Sequence, residues 1–266
     1  ILDGIHLLKS SFVSLEDYKL NTAAKAFLDD TKLIQEENRF EIIEEKYHSD
    51  PQLFIDYNLK DSQLVTSILD KSGVFELTVQ RSLLTGLHMD SVKASIASFD
   101  SLYLRELRKK GFVAISTRST DSTQGLGGFV MHSKPGIYDN ILVLDFKSLY
   151  PSIMRTFNID PLSYVGTKDE LIEQKKYSLK EIEAVDKFII APNGAVFRNE
   201  QGILPELLAK MWAARDKAKK EGNELARYAI KIHMNSMYGV LASQNSRYHI
   251  RALSNAITHF GQELIK

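Results

Sequence analysis

The sequence has no cysteine among its 266 residues. This absence excludes disulfides and thiolate metal ligands, and it fits a protein of the reducing cytoplasm. Also missing is any apolar run that approaches the ~20 residues needed to cross a bilayer, so we expect no membrane partner. With 44% hydrophobic and 26% charged residues, the composition is that of a globular protein of one large or two modest domains.

An excess of one charge sign is missing as well, since 34 basic residues balance 34 acidic ones. The average hides an asymmetry: residues 1–70 carry 7 Lys/Arg and 14 Asp/Glu, whereas residues 203–251 carry 9 Lys/Arg and 4 Asp/Glu. Polyphosphates respond to local positive clusters, so the second segment is a candidate phosphate-binding surface. A solvated helix face is more often the explanation of such a run, and charge alone leaves both interpretations open.

Apolar spacing predicts a mostly helical first third, with helices over 51–71, 74–85 and 91–109. A Ser/Thr/Gly-rich stretch at 116–128 then predicts a loop, and a short strand is expected at 129–132.

Further along, the apolar run 141–144 predicts a buried central strand. Residues 161–202 show a mixed pattern. Two more helices are expected over 205–220 and 224–238. The turn between them is short, so they should form an antiparallel hairpin, with Gly222 ending the first helix in a left-handed conformation.

Asp145 directly follows the apolar run, and Pro151 then opens a helix. A carboxylate at the carboxyl end of a strand can bind Mg²⁺ together with its waters. The backbone N–H groups from about Lys147 to Tyr150 point at the helix entrance, where a phosphate chain can be held. An isolated aspartate at such a junction more often caps a structural helix.

On the predicted hairpin, Arg215 and Lys219 are spaced i, i+4, and Lys231, Asn235 and Tyr238 share one helix face. Two helices facing each other would present three cations to a triphosphate. Alternatively, Arg215 and Lys219 are a solvated pair and the other residues serve packing. In the first third, Tyr57 and Asp61 are also spaced i, i+4, where Asp61 could bind a metal and Tyr57 could orient a water, although this spacing is common in structural helices.

Two segments carry a family resemblance: Asp145-Phe-Lys-Ser-Leu-Tyr-Pro-Ser152 and Lys231-Ile-His-Met-Asn-Ser-Met-Tyr-Gly239. In this order they resemble motifs A and B of the B-family DNA polymerases, bacterial members in particular. Gly127-Gly128 resembles the segment of that family that touches the template backbone, and Tyr57–Asp61 resembles the third motif of its 3′–5′ exonuclease.

The resemblance implies roles for individual residues. Asp145 and Lys231 would be catalytic, and Asp145, the Phe146 carbonyl and Asp61 would bind metal, with two Mg²⁺ ions (Mn²⁺ as an alternative) in the complete polymerase site. Tyr150 would exclude ribonucleotides by a clash with the 2′-hydroxyl. The expected dNTP-binding residues are Ser148, Leu149, Tyr150, Arg215, Lys219, Lys231 and Asn235. Residues expected to pack against the template or base pair are Tyr238, Gly239, Gly127 and Gly128, and the exonuclease remnant is Tyr57 with Asp61.

The implied fold class is α+β and helix-rich. Residues 1–110 would be the C-terminal part of an RNase H-like exonuclease domain, and 111–202 the first part of a palm, an antiparallel sheet with helices, together with an insert. Residues 203–240 would form the fingers hairpin, and 241–266 would return towards the palm.

The implied activity is addition of dNTPs to a primer 3′ end, with associated 3′–5′ proofreading, in a bacterial cytoplasm near the nucleoid. Primer–template DNA, dNTPs and a sliding clamp would be partners of the full-length protein. The start at Ile1 and the end at Lys266 within a helical pattern lead us to expect an excised piece. The family's motif C, which supplies a second carboxylate, is not in this sequence, so the piece itself is expected to be inactive. Two alternatives stay open, a non-catalytic nucleic-acid-binding module and a nuclease acting through Asp61.

Overall fold

The computed structural model describes residues 2–11, 13–34, 39–116, 127–130 and 132–266. Its described helices are α1 (Gly4–Ser10), α2 (Leu20–Leu28), α3 (Arg39–Ser49), α4 (Pro51–Ser72), α5 (Val74–Thr85), α6 (Ser95–Lys109), α7 (Leu149–Thr156), α8 (Lys168–Glu173), α9 (Leu179–Ile182), α10 (Ile203–Lys220), α11 (Glu224–Ala242) and α12 (Arg251–Ile265). Its described strands are β1 (Tyr164–Thr167), β2 (Phe188–Ile190) and β3 (Ala195–Arg198). The helix-rich α+β class is confirmed.

The chain divides into two compact units. The first comprises Ile1–Leu84 and His88–Lys93, and the second comprises Thr85–Leu87 and Ala94–Lys266. The domain boundaries expected for a full-length polymerase remain predictions.

The first unit is organised around α4. Asp50 caps this helix by accepting a hydrogen bond from the Leu53 amide, Pro51 occupies its first turn, and Gly73 ends it with φ 64°. The helices predicted over 51–71 and 74–85 are therefore confirmed. The hydrophobic core of the unit consists of Leu7, Leu8, Ala23, Ala24, Leu64, Ile68 and Val74.

In the second unit α7 packs against three other helices, α10, α11 and α12. Its buried residues are Pro151, Ile153 and Met154. On the α12 side, the ring of Phe260 stacks on Phe157, with centroids 3.7 Å apart and planes 6° from parallel. A short helix of this kind is stabilised mainly by tertiary packing.

The predicted hairpin is confirmed as α10 and α11, which pack against each other. Gly222 between them has φ 69°, the left-handed conformation that was predicted. Asn223 then caps α11 by accepting a hydrogen bond from the Ala226 amide at 3.0 Å. Helix α6 begins at Ser95 rather than at the predicted Ser91, since residues 91–93 form turns.

The mixed segment 161–202 contains a small antiparallel sheet in the order β1-β3-β2. Helices α8 and α9 each begin with a capping box, Thr167 with Glu170 and Ser178 with Glu181. The core of this insert consists of Leu171, Ile182, Phe188 and Val196.

The buried strand predicted at 141–144 is wrong. These residues form no strand, and their side chains are 69–83% exposed. A β-branched apolar run becomes a strand only when a neighbouring strand pairs with its backbone, and none of the described strands pairs with it. The short strand expected at 129–132 is likewise absent at Phe129, Val130 and His132, and most of the loop predicted at 116–128 lies outside the described residues.

The beginning of α10 is held from outside the helix. Asn158 accepts a hydrogen bond from the Gly202 amide at 2.8 Å, and Asp160 accepts one from the Leu204 amide at 2.8 Å. Asp160 is fully buried and also accepts the hydroxyl of Tyr103 on α6 at 2.9 Å. Burial raises the pKa of the Asp160 carboxyl, against hydrogen bonds that favour its ionised form.

Replacing Gly222 with alanine is expected to lower the free energy of unfolding by about 1 kcal/mol, because an L-residue resists a φ of 69°. Gly222→Asn should lower it less, since asparagine tolerates this conformation. Urea unfolding followed by the fluorescence of Trp212, the one tryptophan, measures the difference. The matched control is Gly239→Ala inside α11, where an added Cβ meets no atom within 4 Å and alanine should stabilise the helix. Equal effects of the two alanine substitutions would contradict this account.

Candidate active site

A cleft of about 630 Å³ lies where the segment before α7 meets the hairpin. The beginning of α7 forms one wall, and the facing sides of α10 and α11 form the other. The lining residues are Asp145, Phe146, Lys147, Ser148, Leu149, Tyr150, Pro151, Arg215, Lys231 and Asn235. Most of the residues predicted to bind metal or nucleotide are thus brought together.

Ser148 makes the turn into α7. Its φ of 57° and ψ of 67° are left-handed, an uncommon conformation for a residue with a side chain. The Ser152 hydroxyl donates a hydrogen bond to the Lys147 carbonyl at 3.0 Å and closes the turn. Ser148 Oγ accepts a hydrogen bond from Arg215 Nη1 at 3.2 Å, which joins the two walls of the cleft.

Tyr150 forms a fixed aromatic wall. Its ring packs against Tyr238 of α11, with centroids 4.5 Å apart and planes at 45°. A Cβ at Gly128 would lie 3.1 Å from the Tyr150 hydroxyl, and one at Gly261 would lie 3.5 Å from its ring. Burial, with a contribution from Tyr150, raises the pKa of Tyr238. The ring of Tyr150 is therefore confined on several sides.

Three cations line the cleft: Arg215 and Lys231, which the sequence predicted, and Lys147, whose side chain it did not. Lys147 Nζ lies 3.6 Å from Asp216 Oδ1, and both side chains are exposed. The signal that could have identified Lys147 is its position between Asp145 and the entrance of α7. A cluster of positive charge in a concave site attracts polyphosphate.

Other predicted residues lie outside the lining. Lys219 is exposed on α10 beyond the cleft, and Gly239 is exposed on α11. Tyr238 reaches the cleft only through Tyr150. The Gly127 carbonyl accepts a hydrogen bond from Gln262 Nε2 at 3.1 Å, which places the Gly127-Gly128 segment beside α12.

Carboxylate oxygens are scarce among the residues that line the cleft. Asp145 is the one carboxylate among them, and its side chain is exposed beside Phe146. Within the described part of the chain, no group of three or more His, Asp or Glu side chains could hold a metal ion. Asp145 is therefore the carboxylate that this cleft could offer to Mg²⁺, which prefers oxygen ligands.

Tyr57 and Asp61 lie in the first unit, and Lys32 joins them. Lys32 Nζ is 2.6 Å from Asp61 Oδ2, and it donates a hydrogen bond to the Tyr57 hydroxyl at 2.9 Å. Burial alone would lower the pKa of Lys32, but Asp61 and Tyr57 outweigh it and hold this pKa above its usual range. The second oxygen of Asp61 is buried and has no hydrogen-bond partner among the described residues. Sequence reasoning missed Lys32, which is distant from α4 along the chain.

Comparison with known proteins identifies the family. The sequence model described as DNA polymerase family B matches residues 92–266. The chain belongs to DNA polymerase family B. The resemblance inferred from the two motifs is confirmed.

Relatives extend the match to the first unit. DNA polymerase II of Escherichia coli is 36% identical over 267 residues, covering 100% of this chain and 33% of that protein. The DNA polymerase delta catalytic subunit of Drosophila melanogaster is 30% identical over 285 residues, covering 96% of this chain and 25% of that protein. The chain therefore spans a third or less of the length of these relatives.

A solved structure has the same fold. The family B DNA polymerase of Pyrobaculum calidifontis matches with a TM-score of 0.73 at 22% identity, over 98% of this chain and 35% of that one. Among the helices described for this polymerase-family chain, none is both long and apolar enough to span a membrane.

The contact between Tyr150 and Tyr238 should contribute about 1 kcal/mol to stability beyond the burial of the two rings. A double-mutant cycle with Tyr150→Ala and Tyr238→Ala, measured as free energies of unfolding, isolates this coupling. The matched control cycle pairs Tyr150 with Tyr228, an exposed tyrosine near the start of α11, and should give a coupling near zero. Additive effects in the first cycle would contradict the packing described here.

Proposed function

We propose that the protein containing this chain is a DNA-directed DNA polymerase, and that the cleft is its nucleotide site. The observation that carries the proposal is the convergence of Asp145 and Tyr150, from the beginning of α7, with Arg215, Lys231 and Asn235 of the hairpin. The full-length protein would add dNTPs to the 3′ end of a primer and act in DNA replication or repair.

The triphosphate would bind between the two walls. Arg215 is already oriented by Ser148, so its planar guanidinium can bind phosphate oxygens with little loss of conformational freedom. Lys231 on α11 adds a second positive charge, and Asn235 lies one turn further along the same helix. The N–H groups of Leu149 and Tyr150, at the start of α7, lack partners within that helix, and both residues line the cleft. Cations beside a transferring phosphoryl group stabilise the charge that develops in its transition state.

Tyr150 would select deoxyribose. An aromatic ring packed against the 2′ carbon leaves no room for a hydroxyl, provided the ring cannot move aside. Support comes from the contacts that confine it, with Tyr238, Gly128 and Gly261. Discrimination between dNTPs and rNTPs would then rest on a steric clash.

Asp145 and the Phe146 carbonyl would bind Mg²⁺, or Mn²⁺ in its place. When bound, the two ions of a complete polymerase site would polarise the α-phosphate and activate the primer hydroxyl. A second carboxylate would have to come from residues beyond this chain, so we propose that the chain alone does not extend primers. The exposed apolar segment 141–144 supports this, because further strands could cover it.

Primer–template DNA would lie beside Gly127, Gly128, Tyr238 and Gly239. Because Gly127 and Gly128 have no side chains, their backbone could approach a DNA phosphate closely. A sliding clamp is a candidate partner of the full-length protein. The full-length protein would act in the cytoplasm.

Replacing Arg215 with alanine should weaken Mg²⁺–dATP binding to this chain by roughly 10- to 100-fold, the usual contribution of charged hydrogen bonds. Titration followed by Trp212 fluorescence measures the affinity. Arg108→Ala is the matched control, since Arg108 is exposed in the last turn of α6 and lies outside the cleft lining. Lys219→Ala should have a smaller effect than Arg215→Ala, because Lys219 does not line the cleft. Salt-sensitive DNA binding without any dATP binding would instead favour a nucleic-acid-binding module.

In the full-length protein, Asp145→Ala should abolish primer extension, because the catalytic metal site would lose a ligand. The control is Asp169→Ala, which removes a carboxylate from the exposed start of α8. Primer extension with kinetics like those of the wild type in the Asp145 variant would refute the proposed site.

Proofreading is a second candidate function, supported by the group of Lys32, Tyr57 and Asp61. The unpartnered Asp61 oxygen suits a metal ion or a water, and Tyr57 stands beside it on α4. A purely structural role, in which Lys32 ties the segment before α3 to α4, explains the ion pair but not the orphaned oxygen.

Asp61→Asn in the full-length protein should abolish 3′–5′ digestion of single-stranded DNA while primer extension continues. Asp70→Asn, near the end of the same helix, is the matched control. The isolated chain should digest nothing, because the partner carboxylates of such a site are absent from it. Undiminished digestion by the Asp61 variant would assign this group a structural role.

A further inference from the structure

The start of α10 is an unusual helix terminus, because its cap comes from a different part of the chain. Gly202 stands at the N-cap position and has no side chain to cap the helix. The amides of Gly202 and Leu204 are instead bound by Asn158 and Asp160, which follow α7. Uncapped amides at a helix start would be costly here, since the segment is buried.

The side-chain carboxylate of Asp160 accepts four hydrogen bonds. One oxygen accepts from the Leu204 amide and the Tyr103 hydroxyl, and the other accepts from the amides of Leu162 (2.8 Å) and Ser163 (3.2 Å). A carboxylate satisfies such a set, whereas an asparagine would turn its NH₂ group towards two donors. The carboxylate also lies at the positive end of the α10 dipole.

Contact between the helix start and Asp160 is unusually close. A Cβ added at Gly202 would lie 2.6 Å from the Asp160 Cβ, nearer than such atoms can approach. Asn158 binds the residues just before the helix, donating hydrogen bonds to the carbonyls of Arg198 and Glu200 at 2.6 Å each. The start of α10 is therefore held by two side chains.

The clamp at the start of α10 affects where Arg215 lies in the cleft, because both belong to the same helix. Ser148 precedes the first residue of α7, and Asn158 and Asp160 follow its last turn, so the segment 148–160 contacts α10 at two places. Arg215 lies eleven residues beyond Leu204, which is roughly 16 Å along the helix axis. A tilt of about 10° at the clamp would displace Arg215 by roughly 3 Å, enough to break its hydrogen bond to Ser148.

We propose that Asn158 and Asp160 are positioning residues for the nucleotide site, which clamp the start of α10 and thereby hold Arg215 against Ser148. The inference deepens the proposed function and rests on it for the identity of the ligand. If Asn158 and Asp160 only stabilised the fold, substitutions at the clamp would lower stability, and their effects would add independently to the effect of replacing Arg215.

The test uses Gly202→Ala and Asp160→Asn in this chain. Gly202→Ala forces the start of α10 away from Asp160 by a steric clash, although it removes no polar group. Either variant should speed amide exchange in α10 by at least tenfold, leave exchange in α4 unchanged, and weaken Mg²⁺–dATP binding about tenfold. Tyr103→Phe removes one of the four hydrogen bonds to the Asp160 carboxylate and keeps the carboxylate itself. Its effects on exchange and on dATP affinity should therefore have the same direction and be smaller. This milder variant decides the test if Gly202→Ala or Asp160→Asn does not fold.

Asn158→Ala and Asn199→Ala form a matched pair. Both asparagines donate to two backbone carbonyls, but Asn199 binds only Val185 and Asp186 of the insert. Asn158→Ala should loosen α10 and weaken dATP binding, and Asn199→Ala should do neither. Equal effects of the two substitutions would overturn the proposal.

A double-mutant cycle separates positioning from stability without any ligand. Distant substitutions normally add. If the clamp positions Arg215, then Arg215→Ala should lower Tm in the wild-type background and leave it nearly unchanged in the Gly202→Ala background. Full additivity would overturn the proposal, as would unaltered dATP affinity in a Gly202→Ala variant with a loosened α10. If the wild-type chain binds no dATP, the proposed function of this chain fails, and the cycle alone decides whether the clamp positions Arg215.

Discussion

Arg215 donates a hydrogen bond to Ser148 across the junction of α7 and α10, and the cleft is arranged around this contact. The contact requires that α10 pack against α7. Two features of the structure hold the two helices together. The apolar side of α7 is buried among α10, α11 and α12. The start of α10 is bound by side chains that directly follow α7. Because both ends of the junction are fixed, a flexible arginine is held in one place.

The resulting cleft concentrates charge in a chain with no net charge. Three cations line it from two segments that are far apart in sequence, together with one carboxylate, Asp145. Arginine beside a helix entrance suits phosphate, and an exposed carboxylate suits a hydrated divalent ion. A nucleoside triphosphate with its metal combines both chemistries, and membership of DNA polymerase family B agrees with it. An incomplete ligand set is consistent with a chain that spans a third of its E. coli relative.

Local signals made much of this fold predictable from sequence. Helix α4 begins at Asp50-Pro51 and ends at Gly73, and the hairpin turns at Gly222, because caps and left-handed glycines act within a few residues. The motif around Asp145 and the helix face of Lys231 and Asn235 likewise identified most of the cleft. Pairing of 141–144 could not be predicted in this way, since a strand depends on partners elsewhere.

Other features were invisible for the same reason. Lys32 meets Asp61, and Asp160 meets the start of α10, only after the chain has folded. Lys219 is a different case: helical spacing from Arg215 predicts a shared role, and the side chain lies outside the cleft lining. The spacing of residues along one helix predicts which side chains share a face only approximately. Which of them line a cleft also depends on the element that faces the helix.

Binding of a deoxynucleoside triphosphate in the cleft between α7 and the hairpin is tested most directly by titrating the isotopically labelled chain with Mg²⁺–dATP and mapping the perturbed backbone amide resonances. The account predicts shifts confined to residues 145–151 and to α10 and α11 around Arg215, Lys231 and Asn235. Shifts centred on the exposed lysines at the end of α10, with the amides of 145–151 unaffected, would contradict it.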